Sequence, residues 1–132
     1  LKDGELKVGM ELTYPPMEFF DEFKKEAGVD VELAPALAQA MGVEVSFIDM
    51  PFDALIGAAE TGKVDIIMSS MAITDERSER LEFIPYLSFG SGILVEKGNP
   101  LGIRMLKDLC GRVVAVQSGT SQLKSLEALV CE

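Results

Sequence analysis

The segment Ser69–Arg80, SSMAITDERSER, places an arginine where a helix start ordinarily carries an acid. Thr74 is typical of a helix N-cap, and Asp75 and Glu76 follow it in the first turn, where acids interact favourably with the helix dipole. A capping box would place Glu or Gln at the next position, which is Arg77. A cation in this position lowers helix stability by roughly 0.3–1 kcal/mol, so the presence of Arg77 needs an explanation.

Two roles would explain Arg77. The first is a surface arginine paired with a neighbouring acid, and an exposed pair of this kind contributes less than about 1 kcal/mol. The second is an anion clamp, because a guanidinium grips a carboxylate through two parallel hydrogen bonds and the free amides of a helix start add donors. The preceding residues SSMAIT supply hydroxyl and amide donors. This convergence favours the clamp but leaves the surface pair open.

Other residues fit the margins of a small-molecule site. Tyr14 and Phe52 each follow a predicted strand, where an aromatic ring either plugs the core or forms the wall of a ligand site. The segment SGTSQ, with Thr120 and Ser121, is a second group of hydroxyl and amide donors, although such turns are common in α/β proteins. These residues are therefore candidates on weaker grounds than Arg77.

Composition excludes several classes of function. The chain has 132 residues, the size of one ordinary domain, and 22 acids against 12 bases give a formal charge of −10, which argues against nucleic-acid or anionic-membrane binding. The absence of histidine excludes Ser-His-Asp and Cys-His catalysis and histidine metal sites within this chain. There is no Walker loop and no G-x-G-x-x-G motif, so we expect no cofactor and no metal.

The elements that position these residues follow from the hydrophobic pattern. The first eighty residues alternate between strand and helix patterns. The predicted strands are Leu6–Met10, Val43–Ile48 and Val64–Ser70, and the predicted helices are Asp30–Met41 and Phe52–Thr61. This alternation predicts a parallel sheet with crossover helices. Ligands bind beyond the carboxyl ends of such strands, where Ser69, Ser70 and the loop of Tyr14 are expected.

Two features of the pattern need comment. The first long helix carries an apolar stripe of Leu33, Leu37 and Met41, but Pro35 fits only if the helix begins near it or bends there. After residue 90 the pattern predicts strands at Ser91–Lys97 and Arg112–Gln117 and a final helix after SGTSQ. We therefore divide the chain into a first lobe, 1–90, and the start of a second lobe, 91–132.

The two cysteines, Cys110 and Cys131, leave two interpretations open from the residues alone. They could be buried free thiols. They could instead form a disulfide, which would imply an oxidising compartment, close a loop of about 20 residues and contribute roughly 3 kcal/mol.

Taken together, the motifs resemble one protein family. The segments LKVGMELTYPPMEF, GVDVELAPALAQAMG, FDALIGAAETGKVDIIMSSMAITDERSERLEF and CGRVVAVQSGTSQ occur in this order and span nearly the whole chain. They resemble the periplasmic-type amino-acid-binding proteins of ABC importers, bacterial solute-binding protein family 3. The resemblance implies the α/β, two-lobed, type 2 "Venus flytrap" fold with mostly parallel sheets. It also implies that this chain stops within its second lobe.

The resemblance assigns roles to individual residues. It implies that Arg77 binds the α-carboxylate of a free amino acid, helped by Ser70 and the backbone N–H of Ala72. Tyr14 and Phe52 would bracket the ligand side chain. The remaining implied contacts are Thr120 and Ser121, which approach the carboxylate from the second lobe, and Glu11, which holds a basic side chain. It also favours the disulfide between Cys110 and Cys131.

The resemblance implies a partner and a location as well. We expect a membrane permease of the ABC type, an extracytoplasmic location with a lipid anchor in the parent protein, and self-association of the truncated chain through exposed sheet edges. The alternatives are a periplasmic dehydratase on the same fold, with Glu11 as its acid/base candidate, and the ligand-sensing lobe of a receptor or sensor kinase. Ala72 departs from the family, which usually has Ser or Thr there.

Overall fold

The computed structural model describes residues 4–131. They form two compact units, and the boundary between the units lies between Ile84 and Pro85. The strands are β1 (Glu5–Met10), β2 (Thr13–Tyr14), β3 (Glu18–Phe20), β4 (Glu26–Ala27), β5 (Glu44–Asp49) and β6 (Ile66–Ile67). The helices are α1 (Val29–Met41), α2 (Leu55–Glu60), α3 (Asp75–Ser78) and α4 (Ser121–Glu127), with 3-10 turns at Phe52–Ala54 and Leu106–Leu109.

A three-stranded parallel sheet organises the first unit. Its order is β5-β1-β6, so β1 is the central strand and pairs in parallel with both neighbours. Leu6, Val8 and Met10 are buried, as expected for a strand covered on both faces. The predicted parallel sheet is confirmed, although the third strand is shorter than the predicted Val64–Ser70. Because the chain moves from β1 to one side of the sheet and returns on the other, a ligand crevice is expected at the carboxyl end of β1.

Helix α1 packs on the sheet through its small residues. Its buried positions are Asp30, Ala34 and Ala38, four residues apart on one face. The apolar stripe of Leu33, Leu37 and Met41 is not the buried face, since these side chains are 38%, 39% and 50% exposed. Alanine lets the helix backbone approach β1 and β5 closely, whereas leucine at the same positions would hold it away.

Pro35 lies inside α1 and is exposed, so the alternative in which the helix begins near it does not apply. Proline removes one N–H from the helix interior and costs stability there. The left-handed Gly42, at φ 71°, ends the helix as predicted, and its N–H bonds back to the carbonyl of Gln39.

A small antiparallel ribbon, ordered β2-β3-β4, follows β1. Segment 21–28 is largely polar and carries no clear strand pattern, yet β4 lies within it. The ribbon joins α1 at Gly28, where φ is 120° and a Cβ atom would lie 2.3 Å from the Met17 carbonyl oxygen. A side chain would be sterically excluded there, so glycine sets the approach of the ribbon to α1.

The second unit has little regular structure. The predicted strands Ser91–Lys97 and Arg112–Gln117 were wrong as strands: among residues 4–131 neither forms a ladder with another segment. A strand is stabilised by its cross-strand neighbours, so an isolated segment does not form one however suitable its pattern. The final helix is present as α4, and a disulfide joins Cys110 to Cys131, which confirms that prediction.

No helix within residues 4–131 has both the length and the apolar character needed to span a bilayer.

Candidate functional site

Arg77 is held at the start of α3 by the predicted cap. The Thr74 side chain accepts a hydrogen bond from the Arg77 backbone N–H at 3.3 Å, and Asp75 and Glu76 occupy the first turn. The arginine itself is buried, with only 7% of its surface exposed. This burial argues against a solvent-exposed surface arginine. A surface ion pair does occur three residues later, where the exposed Arg80 binds Glu60 at 2.6 Å.

The guanidinium of Arg77 has defined neighbours. Its Nη1 donates to the Ala72 carbonyl oxygen at 2.5 Å, and its central carbon lies 5.6 Å from the centre of the Phe52 ring, within the range of a cation–π interaction. Burial lowers the pKa of Arg77 below its usual value, because desolvation disfavours the charged form. A partly desolvated cation attracts an anion more strongly than one in bulk water.

The other predicted residues of the first unit lie at the ends of its strands. Phe52 is half-buried in the 3-10 turn after β5 and faces Arg77. Tyr14, in β2, is 53% exposed. Glu11 follows β1, and its backbone N–H donates to the Ser69 hydroxyl oxygen at 3.1 Å, which joins the carboxyl ends of β1 and β6. The structure thus brings Phe52 to Arg77 and Glu11 to Ser69.

Ser70 lies beside two buried acids. Its hydroxyl donates to Glu18 Oε2 at 3.2 Å, and its backbone N–H donates to Asp30 Oδ2 at 3.1 Å. Its φ of 48° is in the left-handed region, which a serine adopts at a cost. The contacts to the two acids stabilise this conformation, so they set how the loop after β6 presents its donors.

Glu18 is the most perturbed of these acids. It is 1% exposed, and burial raises its pKa from 4.5 to about 8, with the negative charge of Asp30 and a hydrogen bond with it acting in the same direction. Hydrogen bonds from Ser69 and Ser70 act against that rise. The raised pKa favours the neutral form of this buried carboxyl group at pH 7, next to Ser69 and Ser70.

Thr120 and Ser121 start α4 in the second unit. The Thr120 hydroxyl caps the helix by accepting from the Leu123 N–H at 3.2 Å, and it donates to the Gln117 carbonyl at 2.8 Å. The Ser121 hydroxyl donates to the Gln122 side chain at 3.3 Å. Their predicted contact with the ligand's carboxylate stays a prediction. Within residues 4–131 no group of three or more Cys, Asp or Glu side chains has the arrangement of a metal site.

The sequence matches a known protein family. The model for bacterial extracellular solute-binding proteins, family 3, matches residues 6–128. The chain belongs to this family. Among curated relatives, this family 3 chain is 37% identical over 119 residues to the L-cystine-binding protein TcyJ of Escherichia coli, strain K12. That match covers 89% of the chain and 45% of TcyJ, so the chain spans about half the length of this relative.

Solved structures agree with this membership. The family 3 chain is similar to an ancestral arginine-binding protein bound to arginine, with a TM-score of 0.90 and 42% identity over 94% of this chain and 55% of that one. It is also similar to the arginine-bound form of domain 1 from TmArgBP, with a TM-score of 0.58 and 45% identity. That match covers 59% of this chain and 62% of the domain. The predicted family and type 2 fold are confirmed.

Two residues of this family 3 site escaped sequence reasoning. Neither Glu18 nor Asp30 was among the predicted site residues. One signal was available: Glu18 is the only acid in the run MEFF, where an apolar side chain would be expected in a half-buried strand. Asp30 carried no such signal, because an acid in a first helical turn is ordinary.

Proposed function

We propose that this chain is the ligand-carboxylate-binding part of an extracytoplasmic solute-binding protein of an ABC transporter. The complete protein would capture a free polar or basic amino acid and deliver it to a membrane permease. The observation that carries the proposal is Arg77, a buried cation held at a helix start against Phe52, the aromatic residue that follows β5. Family membership supports the same conclusion.

The site residues divide into an anchor and its walls. Arg77 would bind the α-carboxylate through two parallel hydrogen bonds, with Ser70 and the N–H of Ala72 adding donors. Phe52, already against the guanidinium at 5.6 Å, and Tyr14 would bracket the ligand side chain. Glu11, at the end of β1, would hold a basic group.

The ligand class is supported by the similar proteins. One solved structure has arginine in an ancestral arginine-binding protein, and another is the arginine-bound form of an isolated domain 1. The arginine-bound domain 1 supports ligand capture by a single lobe. Thr120 and Ser121 would close on the carboxylate from the second lobe, as hinge closure does in binding proteins of this kind.

The proposal also covers the setting of the complete protein. We infer an extracytoplasmic location with a lipid anchor, which agrees with a disulfide between Cys110 and Cys131. The relatives described above are named as binding proteins, so we propose no reaction on the ligand. The chain of 132 residues is also proposed to self-associate.

The clamp is tested by isothermal titration calorimetry with L-arginine on the 132-residue chain. Arg77→Ala should weaken binding by about 100-fold, because hydrogen bonds to a charged group contribute about 1.5–3 kcal/mol. Arg80→Ala is the matched control, since it removes an exposed arginine whose partner is Glu60, and its affinity should equal that of the unchanged chain.

Two results would contradict the proposal. One is an Arg77→Ala variant that is folded and binds L-arginine as tightly as the unchanged chain. The other is an unchanged chain that gives no thermal shift with any of the standard amino acids.

A further inference from the structure

Two buried carboxyl groups converge on Ser70 from different elements. Glu18 comes from β3 and Asp30 from the first turn of α1, and they are 1% and 0% exposed. Glu18 accepts a hydrogen bond from the Ser70 hydroxyl at 3.2 Å, and Asp30 accepts one from the Ser70 backbone N–H at 3.1 Å. Both donors of Ser70 therefore point into the acid pair in this structure.

Glu18 also links this loop to the end of β1. Its Oε1 accepts from the Ser69 hydroxyl at 2.9 Å, and the Ser69 oxygen accepts from the Glu11 N–H at 3.1 Å. One side chain thus joins both serines after β6 and, through Ser69, the residue that follows β1. A change of charge on Glu18 reaches all of them.

The charge of Glu18 decides how easily Ser70 can serve a ligand. An ionised carboxylate only accepts hydrogen bonds, and a bond to it is roughly twice as strong as one between neutral groups. A neutral carboxyl group is the weaker acceptor, so the Ser70 hydroxyl can turn its hydrogen toward a ligand carboxylate at lower cost. Ionised Glu18 would in addition repel that carboxylate.

We propose that Glu18 is a positioning residue that acts through Ser70, and that this chain captures the carboxylate of an amino acid more weakly as Glu18 ionises. The proposal rests on the proposed function, since it concerns the same site. It adds that ligand capture depends on pH and names the group responsible.

The surroundings of Glu18 place its ionisation in an accessible range. Asp30 faces it from α1, Tyr14 lies opposite it on β2, and Glu11 is linked to it through Ser69. Glu26 on β4 is exposed to solvent. Burial and the charge of Asp30 raise the pKa of Glu18 to about 8, so the neutral form predominates at pH 7 and is lost above pH 8.

The first test measures the affinity for L-arginine by calorimetry from about pH 6.5 to about pH 9, on either side of the Glu18 transition. The unchanged chain should lose about tenfold in affinity across this range, the effect of one hydrogen bond. Glu18→Gln, which imitates the neutral form, should retain its affinity throughout. Glu26→Gln, an exposed acid on the same ribbon, should behave as the unchanged chain and also controls for titration of the ligand.

The second test uses the unchanged chain without ligand, so it does not depend on a variant that has to fold. The amide resonances of Ser70 and Glu11 should move with pH through one transition. The Glu18 side-chain carbonyl resonance should titrate with the same midpoint.

A third measurement asks whether Glu18 acts through the Ser70 hydroxyl. The affinity for L-arginine is followed over the same pH range in Ser70→Ala and in the double variant that combines Ser70→Ala with Glu18→Gln. Glu18→Gln should change the pH dependence of the affinity less in the Ser70→Ala background than in the unchanged chain. The reason is that the hydroxyl through which Glu18 is proposed to act is then missing. An equal difference would overturn the role of Ser70.

The outcomes separate the two proposals. If L-arginine does not bind but the Ser70 amide follows Glu18, the proposed function fails while the link between Glu18 and Ser70 stands. If L-arginine binds and Glu18→Gln keeps the full pH dependence of the unchanged chain, the positioning role is wrong. A Ser70 amide that is constant across the Glu18 transition would also overturn it.

Discussion

At the scale of single residues, two arginines three positions apart meet opposite environments. Arg77 is 7% exposed and lies against Phe52, whereas Arg80 is exposed and forms an ion pair with Glu60. The sequence distinguishes them because Arg77 alone occupies a capping-box position, where a cation is unfavourable. Glu18 could not be recognised in the same way. Its burial follows from the packing of the ribbon against α1, which local patterns do not determine.

Glu18 should make stability depend on pH in a specific direction. Its pKa is raised from 4.5 to about 8 on folding, so the neutral form contributes stability that is complete below pH 4.5 and is lost as pH rises toward 8. The free energy of unfolding should fall by at most about 1.4 kcal/mol per pH unit in that window. Urea denaturation at a series of pH values measures it.

The matching variant separates Glu18 from the other acids. Glu18→Gln should flatten the decline between about pH 5.5 and pH 8, while the exposed Glu26→Gln should leave it unchanged. A decline of the same slope in Glu18→Gln would show that another group is responsible.

At the scale of elements, the sequence predicted the parallel sheet and its crossover helices in the first unit, but not the antiparallel ribbon or the buried face of α1. The alternation up to residue 80 is a strong signal because strands and helices have different periods. The buried face of α1 cannot be identified from hydrophobicity alone, because its leucine stripe is more hydrophobic than the alanines that pack. Because α1 approaches the sheet closely, the side chains that pack against it are the small ones, Ala34 and Ala38.

A pair of glycines tests how the ribbon is joined to α1. Gly28→Ala should lower the free energy of unfolding by about 2–4 kcal/mol, because its φ is 120° and the added Cβ would meet the Met17 carbonyl at 2.3 Å. Gly57→Ala, inside α2 with nothing within 4 Å of the added Cβ, should instead stabilise by about 0.5–1 kcal/mol. Urea denaturation compares the two, and equal effects would contradict the close approach at Gly28.

At the scale of the whole molecule, the second unit shows where sequence patterns are insufficient. Ser91–Lys97 and Arg112–Gln117 have the composition of strands, yet strand structure depends on a neighbour in the sheet. As a result, large apolar side chains remain in contact with solvent. Leu94 is 99% exposed and Val113 is fully exposed. The disulfide between Cys110 and Cys131 constrains this unit without covering those side chains.

These exposed side chains predict self-association of the 132-residue chain. Burying apolar surface contributes about 25 cal/mol per Å², and unpaired strand-like segments readily pair with a second copy. The charge of −10 opposes association, so oligomers should increase as salt screens it. Size-exclusion chromatography with light scattering should give masses above 14.3 kDa that rise with salt. Leu94→Lys with Val113→Lys should shift the chain toward monomer, whereas Lys63→Gln, in the first unit, should not. A mass of one chain at every salt concentration would contradict this prediction, because the exposed residues would then be tolerated without a partner.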